Sequence, residues 1–581
     1  MLFLGCLSTH PQTKTPLKLH STALKTHTHE PIEICFQSSI VYPDPFKQIL
    51  LDVVFTSPSK KILIVPAFWN GGSTWCVRFS SAEIGVHTFK TSCNDVNNIS
   101  LHNQVGEVEI TPYLGENPLY QHGGIKVAQD NRHFCHADDT PFFWLGDTWW
   151  MGLCKRLAWP EDFQTLAHNR KSLGFNVIQL VAGLYPDMPP FDARGLSQSG
   201  FCWEQDFSQI NPSFFDEADQ KIFYLVEQGL MPCIVGAWGY YLPMIGLENM
   251  QRHWRYLMAR WGALPVVWVA AGEQTMPWYG ENPAQKLNAQ SKQKEDWSKV
   301  IAYMRSINGF ERLITTHPVT SARESVLDVT LLDFEMQQTN HALPTPHHAM
   351  CAQLGWHTQP AMPVISAEAR YEGLAINPTV SAQNAREAFW AHTLNSGAAG
   401  HTYGANGIWQ VNTESQAFGH SPSGFCWGNT PWNLAMQLPA AKQIGLAKKF
   451  LSALPWHTFE PQPMQSSCLE AFLQKNPRLQ RVLLKLKWRP SPPTPIAACV
   501  AKEKSVAIFY TITTKPFEID LHALKMPLKA SWPVKASWID PTNFDEQPAN
   551  LTILHHKVHV KPPNKNAAGE NDWLLLLQPA D

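Results

Sequence analysis

The sequence predicts an α/β fold: a central (β/α)8 TIM barrel flanked by N-terminal and C-terminal β-sandwich domains. Three observations predict it. Eight short apolar runs between residues 142 and 404 alternate with helix-patterned segments, the mark of a parallel α/β fold. The stretches before and after them hold only short β-branched runs broken by Pro, Gly and Asn turns. The chain, at 581 residues, is also longer than one hydrophobic core usually organises. The boundaries read as a leader or tether over 1–30, a first sandwich over 31–115, the barrel over 116–455 and a second sandwich over 456–581.

The elements follow in order. "MLFLGC" ends in Leu4-Gly5-Cys6 and resembles a bacterial lipobox, although it lacks the basic start and long apolar stretch of a lipoprotein signal. It carries the expectation of an exported protein, periplasmic or at the cell surface, with membrane attachment through a lipidated Cys6. Residues 7–29 are polar and without periodicity. Over 31–112 the strand runs are separated by Ser-Pro, Asn-Gly-Gly and Ile-Gly turns. The barrel strands are expected at 142–150, 175–183, 231–238, 265–273, 312–318, 331–338, 362–372 and 397–404. "PEDFQTLAHNRKSLG" shows the helical pattern between them, with Pro and acids at its start and Gly at its end. The fifth and sixth strands are joined by the shortest stretch. Beyond residue 468, "RVLLKLKW", "SVAIFYTI", "FEIDLHAL" and "VKASWID" read as strands again.

Composition excludes several classes. Hydrophobic residues make up 44% and charged residues 16%, so the chain is globular. Basic and acidic residues number 46 and 48, a balance with no nucleic-acid signature. The 12 cysteines form no CxxC pair and no zinc spacing; Cys76 and Cys93 are one pairing open to the first sandwich. No metal and no cofactor are expected. No run of 18 apolar residues suggests a membrane span. HExxH, Walker, GxGxxG and G-x-S-x-G motifs are all missing. Aromatics are abundant, with 23 Trp, 29 Phe and 13 Tyr, as large cores or sugar-stacking surfaces need.

Barrel enzymes place their chemistry at the C-terminal ends of the strands. Those ends collect acids, amides, imidazoles and indoles, a set suited to a polyhydroxylated substrate. Glu273 ends the apolar run "VVWVAAGE" and Glu368 lies at the end of the seventh strand; two such carboxyls can do acid/base or nucleophilic work. Glu372, four residues on, competes with Glu368 for the second role. Asp147, Trp149, Trp150, Gln179, Trp238, Asn340, His341, Glu372, His401 and Tyr403 are the expected contacts to a carbohydrate. His317 is less favoured, because "THP" reads as a turn. Asp147 also fits a helix N-cap.

"PFFWLGDTWW", "LGFNVIQLVAG", "PVVWVAAGE", "MPVISAEARYEG" and "AAGHTYGANGIWQ" together resemble the apiosidase-like glycoside hydrolase family. "YPDPFKQILLDVVFTSPS" and "WCVRFSSAEIGVHTF" resemble the sandwich that precedes such barrels, and "VKASWIDP" a C-terminal β domain named for collagen binding. The resemblance implies a hydrolase of complex polysaccharides with Glu273 as catalytic acid and Glu368 as second carboxylate. The family commonly shows Gly-Gly-Asp where this chain has Ala271-Gly272-Glu273. The rival classes are a carbohydrate-binding surface protein without turnover, and a lyase or esterase.

Overall fold

The structure, a computed structural model, describes residues 24–279, 282–462, 495–521, 524, 534–554 and 557–579. Eight parallel strands form its centre: β1 (Trp144–Thr148), β2 (Val177–Val181), β3 (Met231–Val235), β4 (Val267–Val269), β5 (Ile314–Thr315), β6 (Glu335–Gln338), β7 (Val364–Glu368) and β8 (Gly400–Tyr403). They pair in sequence order from β1 to β5, and β1 also pairs β8, which continues to β7 and β6. The β5–β6 seam is joined outside a regular ladder. Asp333 N–H donates to Ile314 O at 2.9 Å, and the Thr315 hydroxyl donates to Phe334 O at 2.7 Å. The barrel is therefore near-closed, with short strands at its seam.

Helices cover the outside, and their starts are written in the sequence. Asn211 and Asn282 cap helices Pro212–Glu227 and Pro283–Ile307, each with Pro in its first turn. Ser381 and Asn384 form a capping box on Ala382–Thr393. Between β5 and β6 there are only the single turn Ala322–Ser325 and the short 3-10 turn Val329–Leu331, as the short connection predicts.

The N-terminal domain holds a five-stranded and a three-stranded sheet. Leu24–His27, inside the segment expected to be a leader, pairs in parallel with Val105–Thr111 at the edge of the larger sheet. Cys6 lies outside the described residues, as does "RVLLKLKW". The open pairing of Cys76 with Cys93 is corrected: Cys76 is bonded to Cys35. The strands Ile32–Gln37 and Thr74–Phe79 set those two residues directly opposite each other. Cys93 ends a strand of the other sheet and is free and buried.

A six-stranded and a three-stranded sheet make the C-terminal domain. Buried charges join both flanking domains to the barrel. Arg78 bonds Asp219, which also pairs with Arg260. Arg386 pairs with Asp572 at 2.7 Å.

Alternation along the strands decides what each side chain meets. Ladder partners put Trp144, Gly146, Gly400, Thr402 and Gln179 on the inner face. Asp147, His401 and Tyr403 fall on the outer face, toward the helices. The alternation breaks once near the site. Gln337 pairs Ser366, but Gln338 pairs Glu368, leaving Ala367 as a surplus residue in β7. This bulge moves Glu368 from the outer to the inner face.

Candidate active site

Glu273 and Glu368 meet at the mouth of the barrel. The Gln338 amide nitrogen donates to Oε1 of Glu273 and to Oε1 of Glu368, at 3.0 Å each. The two oxygens thus lie no more than twice 3.0 Å apart. The two N–H directions of a planar amide diverge by about 120°, and with both bonds straight the oxygens would stand about 5 Å apart. Trp238 Nε1–H adds a longer bond to Glu273 Oε2 at 3.3 Å. Glu273 also holds a φ of +40°, in the left-handed region that side-chain-bearing residues rarely adopt. Such strain persists where surrounding structure enforces it. Here Gly272 is bridged to Trp238, and Glu273 O accepts from Met276 N at 2.7 Å.

The two carboxyls differ electrostatically. Burial, and then the charge of Glu368, push Glu273 up to about 7. Burial also works to raise Glu368, but a hydrogen bond from His341 and the charges of His341 and His317 outweigh it and hold the carboxyl below its ordinary value. His341 Nε2 is 3.0 Å from Glu368 Oε1, and its Nδ1 is 2.6 Å from Ala369 O. Both neighbours only accept, so both ring nitrogens donate and the imidazolium is favoured. That agrees with His341 being raised: burial opposes the charge, and the bond to Glu368 prevails. His317 Nε2 stands 3.5 Å from Glu368 Oε2.

The other expected contacts separate into two groups. Trp150, Trp238 and His341 gather around the carboxyls. Trp150 packs edge-on against both Trp238 and His317, at 5.5 and 5.3 Å between ring centres. Asn340 is exposed with a φ of +71°, and its side chain accepts from Ala342 N at 2.8 Å in its own turn.

The second group lies elsewhere. Asp147 is fully buried on the outer face and accepts from Arg170 Nε at 2.6 Å and from Trp149 Nε1 at 2.7 Å. Trp149 is itself fully buried against Phe163. His401 packs on Phe389 and His392 of a covering helix. Tyr403 Oη donates to Glu372 at 2.7 Å, and Glu372 also accepts from Ala440 N at 3.1 Å. Burial raises Glu372 to about 7, but it faces the start of helix Pro439–Ser452. Gln179 sits inside the barrel beneath the site. Its Nε2 donates to Ala367 O at 3.1 Å, bracing the bulge that presents Glu368.

Gln338 and Asp187 at the mouth escaped sequence reasoning, as did Tyr279 and Trp427, which bond Asp187. Gln338 adjoins Gln337, and alternation along β6 turns Gln338 inward; Gln337 instead donates to Cys351 O on a helix. Asp187 lies in the loop after β2, where no strand end points to it. Its Oδ1 accepts from Tyr279 Oη at 2.5 Å and its Oδ2 from Trp427 Nε1 at 3.0 Å. Burial and the charge of Glu368 raise this carboxyl against those two bonds. The only group of side chains with metal-ligand geometry among the described residues is Glu33, Cys35 and Cys76, and there the sulfurs form the disulfide.

A near-closed parallel barrel with carboxyls at its C-terminal mouth is an arrangement that glycoside hydrolases use. Residues 128–458 match the family model described as "Apiosidase-like, catalytic domain", and residues 25–94 match a domain of unknown function, DUF5060. The chain belongs to the apiosidase-like family. No curated protein matches it. Among solved structures, a glycoside hydrolase family 5 protein from Bacteroides vulgatus ATCC 8482 is 19% identical with a TM-score of 0.61, covering 80% of this chain and 94% of that one. A second structure from the same bacterium is 18% identical with a TM-score of 0.64, covering 96% and 100%. These likenesses show the fold.

Proposed function

We propose that the protein hydrolyses glycosidic bonds in a complex polysaccharide or oligosaccharide, with Glu273 as acid/base and Glu368 as nucleophile. The observation that carries this reading is the single Gln338 amide shared by both carboxyls. It supports a separation near the about 5–5.5 Å of retaining enzymes and below the about 6.5–9.5 Å that an inverting water needs. The opposed shifts of the two acids support the division of roles, because one is kept protonated and the other ionised.

The chemistry then runs in two steps. Glu368 attacks the anomeric carbon, the glycosidic C–O bond breaks, and Glu273 gives its proton to the leaving oxygen. Glu273, now a carboxylate, takes a proton from water. The resulting hydroxide displaces Glu368 from the anomeric carbon and restores both groups. The Cys35–Cys76 disulfide supports export to an oxidising compartment, in keeping with lipidation at Cys6.

The test is a screen of oligosaccharide libraries with the first-formed anomer read by NMR. Retained configuration is expected, and loss of cleavage in Glu273→Gln with sugar binding intact. Inverted product sinks the assignment of Glu368 as nucleophile. Unsaturated products absorbing in the ultraviolet point to a lyase, and binding without cleavage points to a non-catalytic carbohydrate-binding protein.

A further inference from the structure

The mouth of the barrel holds a third carboxyl that the two-step chemistry leaves unused. Asp187 comes from the loop after β2 and has a φ of +56°. It is bonded by residues of two other loops, Tyr279 from the loop after β4 and Trp427 from the loop after β8. Trp427 leads back to the reacting pair: its ring packs 6.0 Å from that of His341, which bonds Glu368. Asp187, Tyr279 and Trp427 are all partly exposed, unlike Asp147, which is sealed in the wall.

We propose that Asp187 is a specificity-determining residue that accepts hydrogen bonds from two adjacent hydroxyls of a neutral sugar seated beside Glu368. This rests on the hydrolase reading above. A carboxylate offers about four lone-pair positions. Tyr279 and Trp427 occupy one on each oxygen, which leaves one on each oxygen for a substrate. Two acceptors on one carboxylate suit a vicinal hydroxyl pair, and the flanking phenol and indole rings offer apolar faces to the sugar's C–H groups. Asp187 forms no ion pair among the described residues. The nearby Arg194 is engaged instead by both oxygens of Asp192, at 2.9 and 2.7 Å, and by the carbonyls of Phe418 and His420. A uronic acid carboxylate at this place would meet Asp187 and Glu368, while the adjacent cations are already engaged, His341 by Glu368 and Arg194 by Asp192, so the site selects neutral sugars.

A purely structural role, clamping three loops, is the alternative that the experiment must separate. The probes are the neutral oligosaccharide that wild type cuts fastest and its monodeoxy analogues, each lacking one hydroxyl of the ring that bears the scissile bond. If none is cut, the tightest-bound library member takes its place. Affinity is read by titration calorimetry in the Glu273→Gln protein, so binding is measured apart from turnover. Removal of either of two adjacent hydroxyls should weaken binding about 10- to 100-fold, as loss of a bond to a charged group does. Adding Asp187→Asn should shrink that discrimination at least about fivefold. Adding Tyr279→Phe instead, which loosens the clamp but keeps both acceptor oxygens, should leave it intact. A uniform loss of affinity for parent and analogues with Asp187→Asn overturns the proposal. So does a Tyr279→Phe protein that behaves the same way, tighter binding of a uronic analogue, or failure of every probe to bind. Failure of the hydrolase reading shows separately, as wild-type binding without cleavage.

Discussion

Two pairs of carboxyl-bearing strand ends stand side by side in this barrel and do opposite things. Asp147 on β1 and Glu372 beyond β7 are matched by donors: Arg170, Trp149 and a backbone N–H for one, Tyr403 and the Ala440 N–H for the other. Glu273 and Glu368 repel each other across one shared amide. A buried acid surrounded by donors is part of the wall. A buried acid facing another acid stores electrostatic work, which a reacting proton can release. The residue type and the position along a strand are alike in both cases, so partners, and not identity, separate scaffold from chemistry.

That contrast can be broken experimentally. Glu273→Gln should lower kcat on natural glycans by about 10²–10⁴-fold, yet should not weaken the fold. The sign follows from linkage. The folded value of about 7 lies above the ordinary 4.5, so the stability this group contributes is complete below pH 4.5 and is lost as pH rises through 7. The variant cannot ionise, and its thermal midpoint should exceed wild type at pH 8 and match it at pH 4, by calorimetry. The same shift predicts that wild-type kcat/KM declines above pH 7 as the acid loses its proton.

Arg170→Met should do the reverse. It strands Asp147 as an unpaired buried charge at a cost of about 3–5 kcal/mol, read in denaturant. Full stability in that variant would remove the distinction between the two pairs. Replacing both Cys35 and Cys76 by Ser should cost about 2–4 kcal/mol and leave kcat unchanged, because the bond lies in the N-terminal domain. The smallest effect is expected of Gln338→Leu. Its amide holds Glu273 down, so the alkaline limb of the pH–rate profile should move upward. A downward move would contradict the bridging geometry.

The order of domains, the eight strands and the place of Glu273 were legible in the sequence, because strand ends follow from apolar runs and turns. The facing of side chains was less so. Asp147, His401 and Tyr403 lie at strand ends like true mouth residues, but alternation turns all three toward the helices, and only the ladder partners reveal it. Trp149 follows Asp147 into the wall. Asp187 was invisible because a loop of Pro, Asp and Met has no period to read. Gln338 was hidden behind its neighbour Gln337, because the phase of a strand's alternation does not show which of two adjacent amides turns inward, and the bulge that sets Glu368 opposite it has no local sequence signal.

That bulge bears on how relatives should be aligned. Ala367 is a spare residue in β7, and it alone lets Glu368 stand opposite Gln338. A relative with a regular seventh strand would put its acid in the same place with one residue fewer. An alignment that forbids a gap there would pair that acid with Ala367, and a conserved active site would look like a lost one. For this strand, homology of position belongs to the point in space beside the bridging amide, and the count along the chain is free to slip by one.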